Sequence, residues 1–600
     1  MANTAQIKRT ELWGHPMGLY ILFFTEMWER FSYYGMRGIL TLYVAQSATA
    51  VDPGLGWSNK DALWLYGWYT MLVYVASIPG GYIADKLFGQ KKTVLMGGIL
   101  LCLGHGILAI PQDWAFFTGL ILIILGVGGL KPNISTMVGG LYKAGDIRRD
   151  KGFTIFYIGI NIGAFLSSIS VGFVAYYYGW HYGFGLAGIG MLLGQIVYMA
   201  GQKHLIGVGE FIGSKDSGID PKIAEKPLTK IEKDRVIVLL ISFLIVVVFW
   251  GAFEQAGGLM NLYTDAKINR SISFSWLQEI PAAVFQSLNA GYIIIFGTAV
   301  AGYWALRRKK GKQASSLFKM AVGTIIMGLG YIFMMFASQE ASAEVFGKAA
   351  MFWIFLAYLF HTIGELSTSP VSLSFITKLA PVKYASIMMG IYFAATGFGN
   401  KLAGSIGEAS QLDPFSGQLV VEKNEALGFM EKREIEIKTA DGITKFNDYP
   451  INLDKNFTLK ASVFLDNGSV IYKDFKTGKS LDNLFELNSE DQEMLAAYLK
   501  AESSSVDNPR HARLLFEKDK DAVQKTENRG DGKNYDVSFV IEEQQSEQEY
   551  KTFMYLVIFT VSFGLLLLLF LKRLNKLTHG AEDKEGDLSE ETEGFEVAKE

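Results

Sequence analysis

Apolar runs of about span length recur along the chain, separated by polar stretches: Leu19–Val44, Ala62–Ala84, Val94–Ile110, Trp114–Leu130, Phe153–Tyr177, Gly183–Ala200, Val236–Leu259, Ile280–Leu306, Phe318–Ala337, Ala349–Leu373, Ala385–Ile406 and Phe553–Leu571. A hydrocarbon core of about 30 Å needs roughly 20 apolar residues in a helix. The pattern therefore predicts twelve transmembrane helices. The first run carries Glu26, Glu29, Arg30 and Arg37, which excludes a cleavable signal peptide with its short uncharged core.

The polar connections set the orientation. One group holds Lys86, Lys91, Lys92, Lys143, Arg148, Arg149, Lys151, Arg307, Arg308, Lys309, Lys310, Lys312, Lys378 and Lys383, and the Lys-rich stretch 201–235 belongs with it. The opposite short connections carry little, namely Lys60, Lys267, Arg270 and Lys348. Basic loops stay in the cytoplasm, so both termini are expected there. The spans divide as six in 1–200, a cytoplasmic linker in 201–235, helices 7–11 in 236–407, an insert in 408–551, helix 12 in 552–577 and an acidic, disordered tail in 578–600. The fold class expected is an all-α membrane protein, two six-helix bundles with a site between them at mid-membrane. An α+β or β-rich insert would lie outside the cytoplasm between helices 11 and 12.

The insert reads as foldable. Phe457–Tyr472 alternates apolar and polar residues around Asp466-Asn467-Gly468, and Glu434–Thr444 does so around Asp441-Gly442, both hairpin patterns. Ser489–Lys500 reads as a short helix, and Arg510–Lys533 as a charged loop. It holds 29 Asp/Glu and 19 Lys/Arg, so the 19% of charged residues in the whole chain understates how apolar the remainder is. The overall composition, 50% hydrophobic with a net charge of −3, gives no footprint for nucleic-acid binding. A single cysteine, Cys102, excludes an internal disulfide and a CxxC metal site. P-loop, HExxH and GxSxG patterns are absent from the sequence, so no enzyme chemistry competes.

Charges inside spans are functional candidates by default because hydrocarbon penalises them. Glu26, Glu29, Arg30, Tyr33, Tyr34 and Arg37 fall on one stripe of a helix, which must face a wet cavity or other helices. A structural ion-pair cluster of Glu26, Glu29 and Arg30 is the alternative. Lys131 follows Gly126-Val-Gly-Gly-Leu and precedes Pro132-Asn133. Asn161 shares a face with Thr154 and Tyr157, Glu254-Gln255 ends the seventh run, Gln286 and Asn289 sit in the eighth, and Glu365 and Ser369 are one turn apart in the tenth. His105 and His361 read as packing residues. Both signs of charge at mid-membrane suit a ligand that carries both, such as a peptide or an amino acid.

At these residues the chain resembles the proton-dependent oligopeptide transporters of the major facilitator superfamily. Glu26-Met-Trp-Glu29-Arg30-Phe31-Ser-Tyr33-Tyr34 is similar to their ExxERFxYY signature, and Phe153–Ala164 to their fifth-span signature. The likeness continues in Gly-Leu-Lys131-Pro-Asn, Phe285-Gln-Ser-Leu-Asn289 and Gly364-Glu365-Leu-Ser-Thr-Ser369-Pro370. Gly81–Gly89 looks like the superfamily's cytoplasmic loop-two motif.

The resemblance implies a symporter of di- and tripeptides, driven by the proton gradient without a cofactor, in a bacterial inner membrane. It gives Glu26, Glu29, Arg30, Lys131 and Glu254 to proton coupling, with Glu254 paired to Lys131 or Arg37. It gives Arg37 and Lys131 to the peptide carboxylate, Glu365 to its N-terminus, Asn161 and Asn289 to its backbone, and Tyr33, Tyr34 and Tyr74 to side-chain pockets. Gln286, Ser369, Tyr392 and Thr396 complete the set. Departures are Tyr392 where many members have Trp, the lack of two extra helices between the bundles, the lack of a histidine in span two, and the insert, which is not a family feature. A carrier of the same fold for another anion or zwitterion, and a sensor whose insert binds a ligand or partner outside, are the alternatives.

Overall fold

The structure is a computed structural model. It describes residues 10–46, 52–142, 146, 148–211, 228–274, 277–343, 348–381, 385–411, 415–424, 429–439, 442–447, 458–464, 470–476, 512–516 and 533–581. Helices dominate. The N-terminal half contains α1 (Met17–Ala45), α2 (Asn59–Val75), α3 (Ser77–Ile83), α4 (Gln90–Leu108), α5 (Asp113–Gly140), α6 (Arg148–Tyr178) and α7 (Trp180–Gly201). The C-terminal half contains α8 (Lys230–Phe253), α9 (Leu259–Lys267), α10 (Ser287–Lys309), α11 (Ser316–Ala341), α12 (Met351–Leu379), α13 (Ala385–Ala409) and α14 (Glu542–Leu577). Among the described residues, eight segments are long and apolar enough to cross a membrane: α4, α5, α6 and α7, the α8–α9 pair, α10 with the turn before it, α11 and α14. The other four apolar runs are helical too, as α1, α2–α3, α12 and α13, but they carry more of the charged and polar residues that form the site.

Local chemistry explains the helix ends. Ser58 accepts from the backbone of Asp61 to start α2, and Thr229 with Glu232 forms a capping box on α8, each satisfying otherwise orphaned N–H groups. α8 stops where a 3-10 turn, Glu254–Ala256, runs into Gly257-Gly258. That break puts Glu254 at the end of one helix segment and aims it across the molecule.

Packing between helices rests on small residues, because lipid offers no hydrophobic drive and close backbone approach supplies dispersion instead. α4 and α5 touch through Gly97 and Gly126, each of whose Cβ positions would lie within 2.7 Å of the partner helix. α2 and α13 touch through Gly67 and Gly404, where an added Cβ on Gly67 would come 2.9 Å from the Gly404 Cα. The outside of the helices is apolar: Ile121, Leu192, Ile196, Leu240, Leu244, Ile558 and Phe559 are all more than half exposed. A belt of that kind suits a bilayer rather than water.

Within the insert the backbone forms β1 (Phe415–Asn424), β2 (Phe429–Thr439), β3 (Gly442–Asn447), β4 (Thr458–Phe464), β5 (Val470–Lys476), β6 (Ala512–Phe516) and β7 (Lys533–Ile541). Five make an antiparallel sheet in the order β6-β7-β1-β2-β3, and β4 pairs with β5. The first and last strands are neighbours, with Phe415 opposite Phe539 and Val421 opposite Lys533. The segment read as a charged loop contains β6. The helix expected over Ser489–Lys500 and the tail after residue 581 lie outside the described residues.

α14 starts at Glu542, well before the apolar run that marks it in the sequence. Its first turns are held by polar contacts: Gln545 and Gln548 donate to the Ser410 and Ala409 carbonyls at 3.2 and 3.0 Å. Lys267 at the end of α9 donates to Ser546 Oγ at 2.5 Å and lies 3.4 Å from Glu549.

Candidate functional site

The stripe on α1 is buried. Glu26, Glu29, Arg30 and Tyr33 are each at most 2% exposed. Arg30 Nε lies 2.9 Å from Glu26 Oε1 and 2.5 Å from Glu29 Oε2. Two carboxylates thus share one guanidinium, and both Glu29 oxygens and Arg30 Nη2 lack an aligned hydrogen bond.

About two turns further, Arg37 reaches the other half of the chain. Its Nη1 donates to both Glu254 oxygens at 2.9 and 2.8 Å, and Tyr66 donates its hydroxyl to Glu254 Oε2 at 2.9 Å. Of the two partners left open for Glu254, the structure chooses Arg37. Lys131 is placed differently: its Nζ stands 3.6 Å from the ring centroid of Tyr74. Among the described residues it has no carboxylate ion pair, although Glu29, Glu26 and Glu254 lie within its electrostatic reach. Arg37, expected to hold the peptide carboxylate and left open as a partner of Glu254, is engaged by Glu254 here, because the α8 break aims that carboxylate at it. Its guanidinium also covers the Tyr34 ring at 4.9 Å.

On the opposite wall, Asn289 donates to Glu365 Oε2 at 2.7 Å and to Thr362 Oγ1 at 3.2 Å. Asn289 on α10 therefore orients the α12 carboxylate. Ser369 is half-buried one turn away. Tyr392 accepts from Ser372 Oγ at 3.5 Å.

Several expected contacts point elsewhere. Tyr33 is buried, and among the described residues its hydroxyl has no hydrogen-bond partner; its ring lies next to Arg30 rather than in an open pocket. Thr396 is buried and donates to the Tyr392 carbonyl of its own helix at 3.1 Å. Asn161 donates to the Tyr157 carbonyl at 2.9 Å. Gln286 donates to the Gly38 carbonyl at 3.2 Å, which ties the turn before α10 to α1. Tyr34 and Tyr74 remain partly exposed.

Sequence reasoning missed residues that join the halves. Besides Tyr66, Asn261 donates to the Gly38 carbonyl and Thr41 Oγ1 at 2.9 and 3.1 Å, and Thr41 to the Gly257 carbonyl at 3.1 Å. Nearer the helix ends, Tyr176 donates to Glu279 at 2.8 Å, while Arg270 pairs with Glu279 and Asp265 at 3.0 and 2.9 Å. Tyr66, Thr70 and Tyr74 recur every four residues, so a polar face on the second run was available as a signal. These ties gather at the end opposite the Lys/Arg-rich loops.

A sequence profile described as "PTR2: POT family" matches residues 91–217 and 211–416. The chain belongs to the POT family. It is 37% identical over 431 residues to the uncharacterized transporter YclF of Bacillus subtilis, covering 63% of this chain and 85% of that one. It is 34% identical over 449 residues to the di-/tripeptide transporter of Lactococcus lactis subsp. cremoris, covering 66% and 89%. A crystal structure of a peptide transporter POT in complex with alafosfalin superposes with a TM-score of 0.61 at 34% identity, over 66% of this chain and 90% of that one. The profile match ends at residue 416, where the insert's first strand has just begun. The chain is therefore a multi-pass membrane transporter with the POT fold.

Proposed function

We propose that the chain is a proton-coupled symporter of di- and tripeptides that works by alternating access between two six-helix bundles. The observation that carries this reading is the Arg37–Glu254 pair across the two halves, flanked by a cation, Lys131, without a carboxylate ion pair on one wall and a carboxylate, Glu365, on the other. A peptide's C-terminal carboxylate suits Lys131 and its ammonium suits Glu365. The relatives named as peptide or di-/tripeptide transporters support the substrate class.

Coupling follows from charge. Protonating Glu254 removes the anion that holds Arg37, leaving the guanidinium for the peptide carboxylate and releasing the tie between the bundles. Glu26, Glu29 and Arg30 supply a second carboxylate that can take a proton, with Lys131 balancing the excess negative charge. The basic loops and both termini face the cytoplasm of a bacterial inner membrane, so the described conformation is closed outside, and the insert stands outside. The test is uptake of labelled dialanine into proteoliposomes. An imposed inward proton gradient should drive accumulation and a protonophore should abolish it. Gradient-independent uptake, or no competition by other dipeptides, would overturn the reading.

A further inference from the structure

Lys401 takes no part in the site described above. It lies on α13 eight residues before Ala409, so about 12 Å along the helix from its outer end. Its Nζ donates to Ser405 Oγ at 3.2 Å and stands 5.1 Å from the ring centroid of Trp68. Among the described residues no carboxylate pairs with it.

Its surroundings face lipid. α2 turns Tyr66 inward to Glu254, so residues on its opposite face point away from the protein: Trp64, Trp68 and Leu72 recur every four residues and are 44, 39 and 40% exposed. On α13, Phe398, one turn from Lys401, is 56% exposed. Lys401 therefore stands where the exposed stripes of α2 and α13 meet, over the Gly67–Gly404 contact that joins the two halves.

An ammonium at this depth is expensive in hydrocarbon. A hydroxyl and a ring face soften that only in part, since a lysine has three donors and one is used here. The remaining donors call for an anion reached from the lipid side, and the lysine stem is long enough to extend toward the headgroups. Tryptophan favours that interfacial zone.

We infer that Lys401, Ser405, Trp64 and Trp68 bind the phosphate and glycerol region of one phospholipid at the α2–α13 seam, where it bridges the two halves of the transporter. The leaflet, the outer one, rests on the orientation proposed above, whereas the lipid contact is independent of what is transported.

Native mass spectrometry of the purified full chain, titrated with dioleoylphosphatidylglycerol, tests this. One tightly retained lipid is expected for the native sequence. Lys401→Met should weaken that step by about ten- to a hundredfold, as for loss of a charge-assisted hydrogen bond. Lys401→Arg should retain it. Trp68→Leu keeps the charge and should weaken it less, so the assignment can be tested even if Lys401→Met folds poorly. Dioleoylglycerol, which lacks the phosphate, should not show the tight step, and millimolar inorganic phosphate should not displace the lipid. Equal retention by the native, Lys401→Met and Trp68→Leu proteins, or equal binding of dioleoylglycerol, would overturn the proposal. Displacement by inorganic phosphate would identify a free-anion site and overturn it as well.

Discussion

Arg37 and Glu254 lie in different halves of the chain, yet one guanidinium nitrogen contacts both carboxylate oxygens at 2.9 and 2.8 Å. The pair is buried, and Tyr66 adds a third bond to the same carboxylate. Breaking a buried pair by removing one partner typically costs about 3–5 kcal/mol, because the other charge is left uncompensated. In the mechanism proposed above, a single proton on Glu254 would shift the balance between the bundles by a similar amount.

Glu254→Gln should abolish gradient-driven accumulation of dipeptide while leaving counterflow exchange measurable, since exchange needs no net proton movement. Accumulation by the variant under an imposed pH gradient would remove Glu254 from the coupling step.

Tyr66→Phe deletes one hydrogen bond and leaves the ion pair. A loss of about 0.5–1.5 kcal/mol is expected, which shifts the balance between closed and open outer faces by about two- to tenfold. Spin labels placed at the outer ends of α1 and α9 should report longer distances more often. Unchanged distance distributions would make Tyr66 a bystander.

Lys131→Gln tests the carboxylate site more cleanly than Arg37→Ala, which would strand Glu254. Peptide affinity should fall by about ten- to a hundredfold. A C-terminally amidated peptide should bind the native and variant proteins alike. If the amidated peptide loses as much affinity, Lys131 acts on the structure and not on the ligand.

Glu365→Gln should weaken peptides with a free N-terminus more than N-acetylated ones. Asn289→Ala, which removes the 2.7 Å bond orienting that carboxylate, should give a smaller loss with the same selectivity. Equal losses for acetylated and free peptides would return both residues to helix packing.

Replacing residues 416–541 with a short Gly/Ser linker should leave dipeptide affinity and proton dependence within about threefold, a change below a kcal/mol. The pairing of β1 with β7 brings the ends of the insert together, so closing the gap needs little chain. Extending the deletion through Glu549 removes both Ser546 and Glu549 from Lys267, and should lower thermal stability in detergent. Loss of peptide binding by the shorter deletion, in a protein that still folds and reaches the membrane, would make the insert part of the site.

Much of this was legible in the residues. Apolar runs of span length coincide with helices among the described residues, eight of which are long and apolar enough to cross a membrane, because the requirement for about twenty apolar residues per crossing is local. Glu26, Glu29, Arg30 and Arg37 declared themselves because charges in such runs are expensive enough to be kept only for a reason. The early start of α14 was hidden: Glu542–Lys551 is charged, and its helix is held by Lys267, Ser410 and Ala409, which are remote in sequence.

Sequence alone established that this is a polytopic membrane protein with opposite charges buried at mid-span, since hydropathy and charge belong to each residue and its near neighbours. Which charge meets which was decided by the fold. Glu254 faces Arg37 rather than Lys131 because α8 breaks into a 3-10 turn and two glycines at that point. Gln286 ties to Gly38, and Asn289 to Glu365, because of how α10 sits against α1 and α12. A pairing between residues 217 positions apart depends on the packing of whole helices, and no local pattern records it.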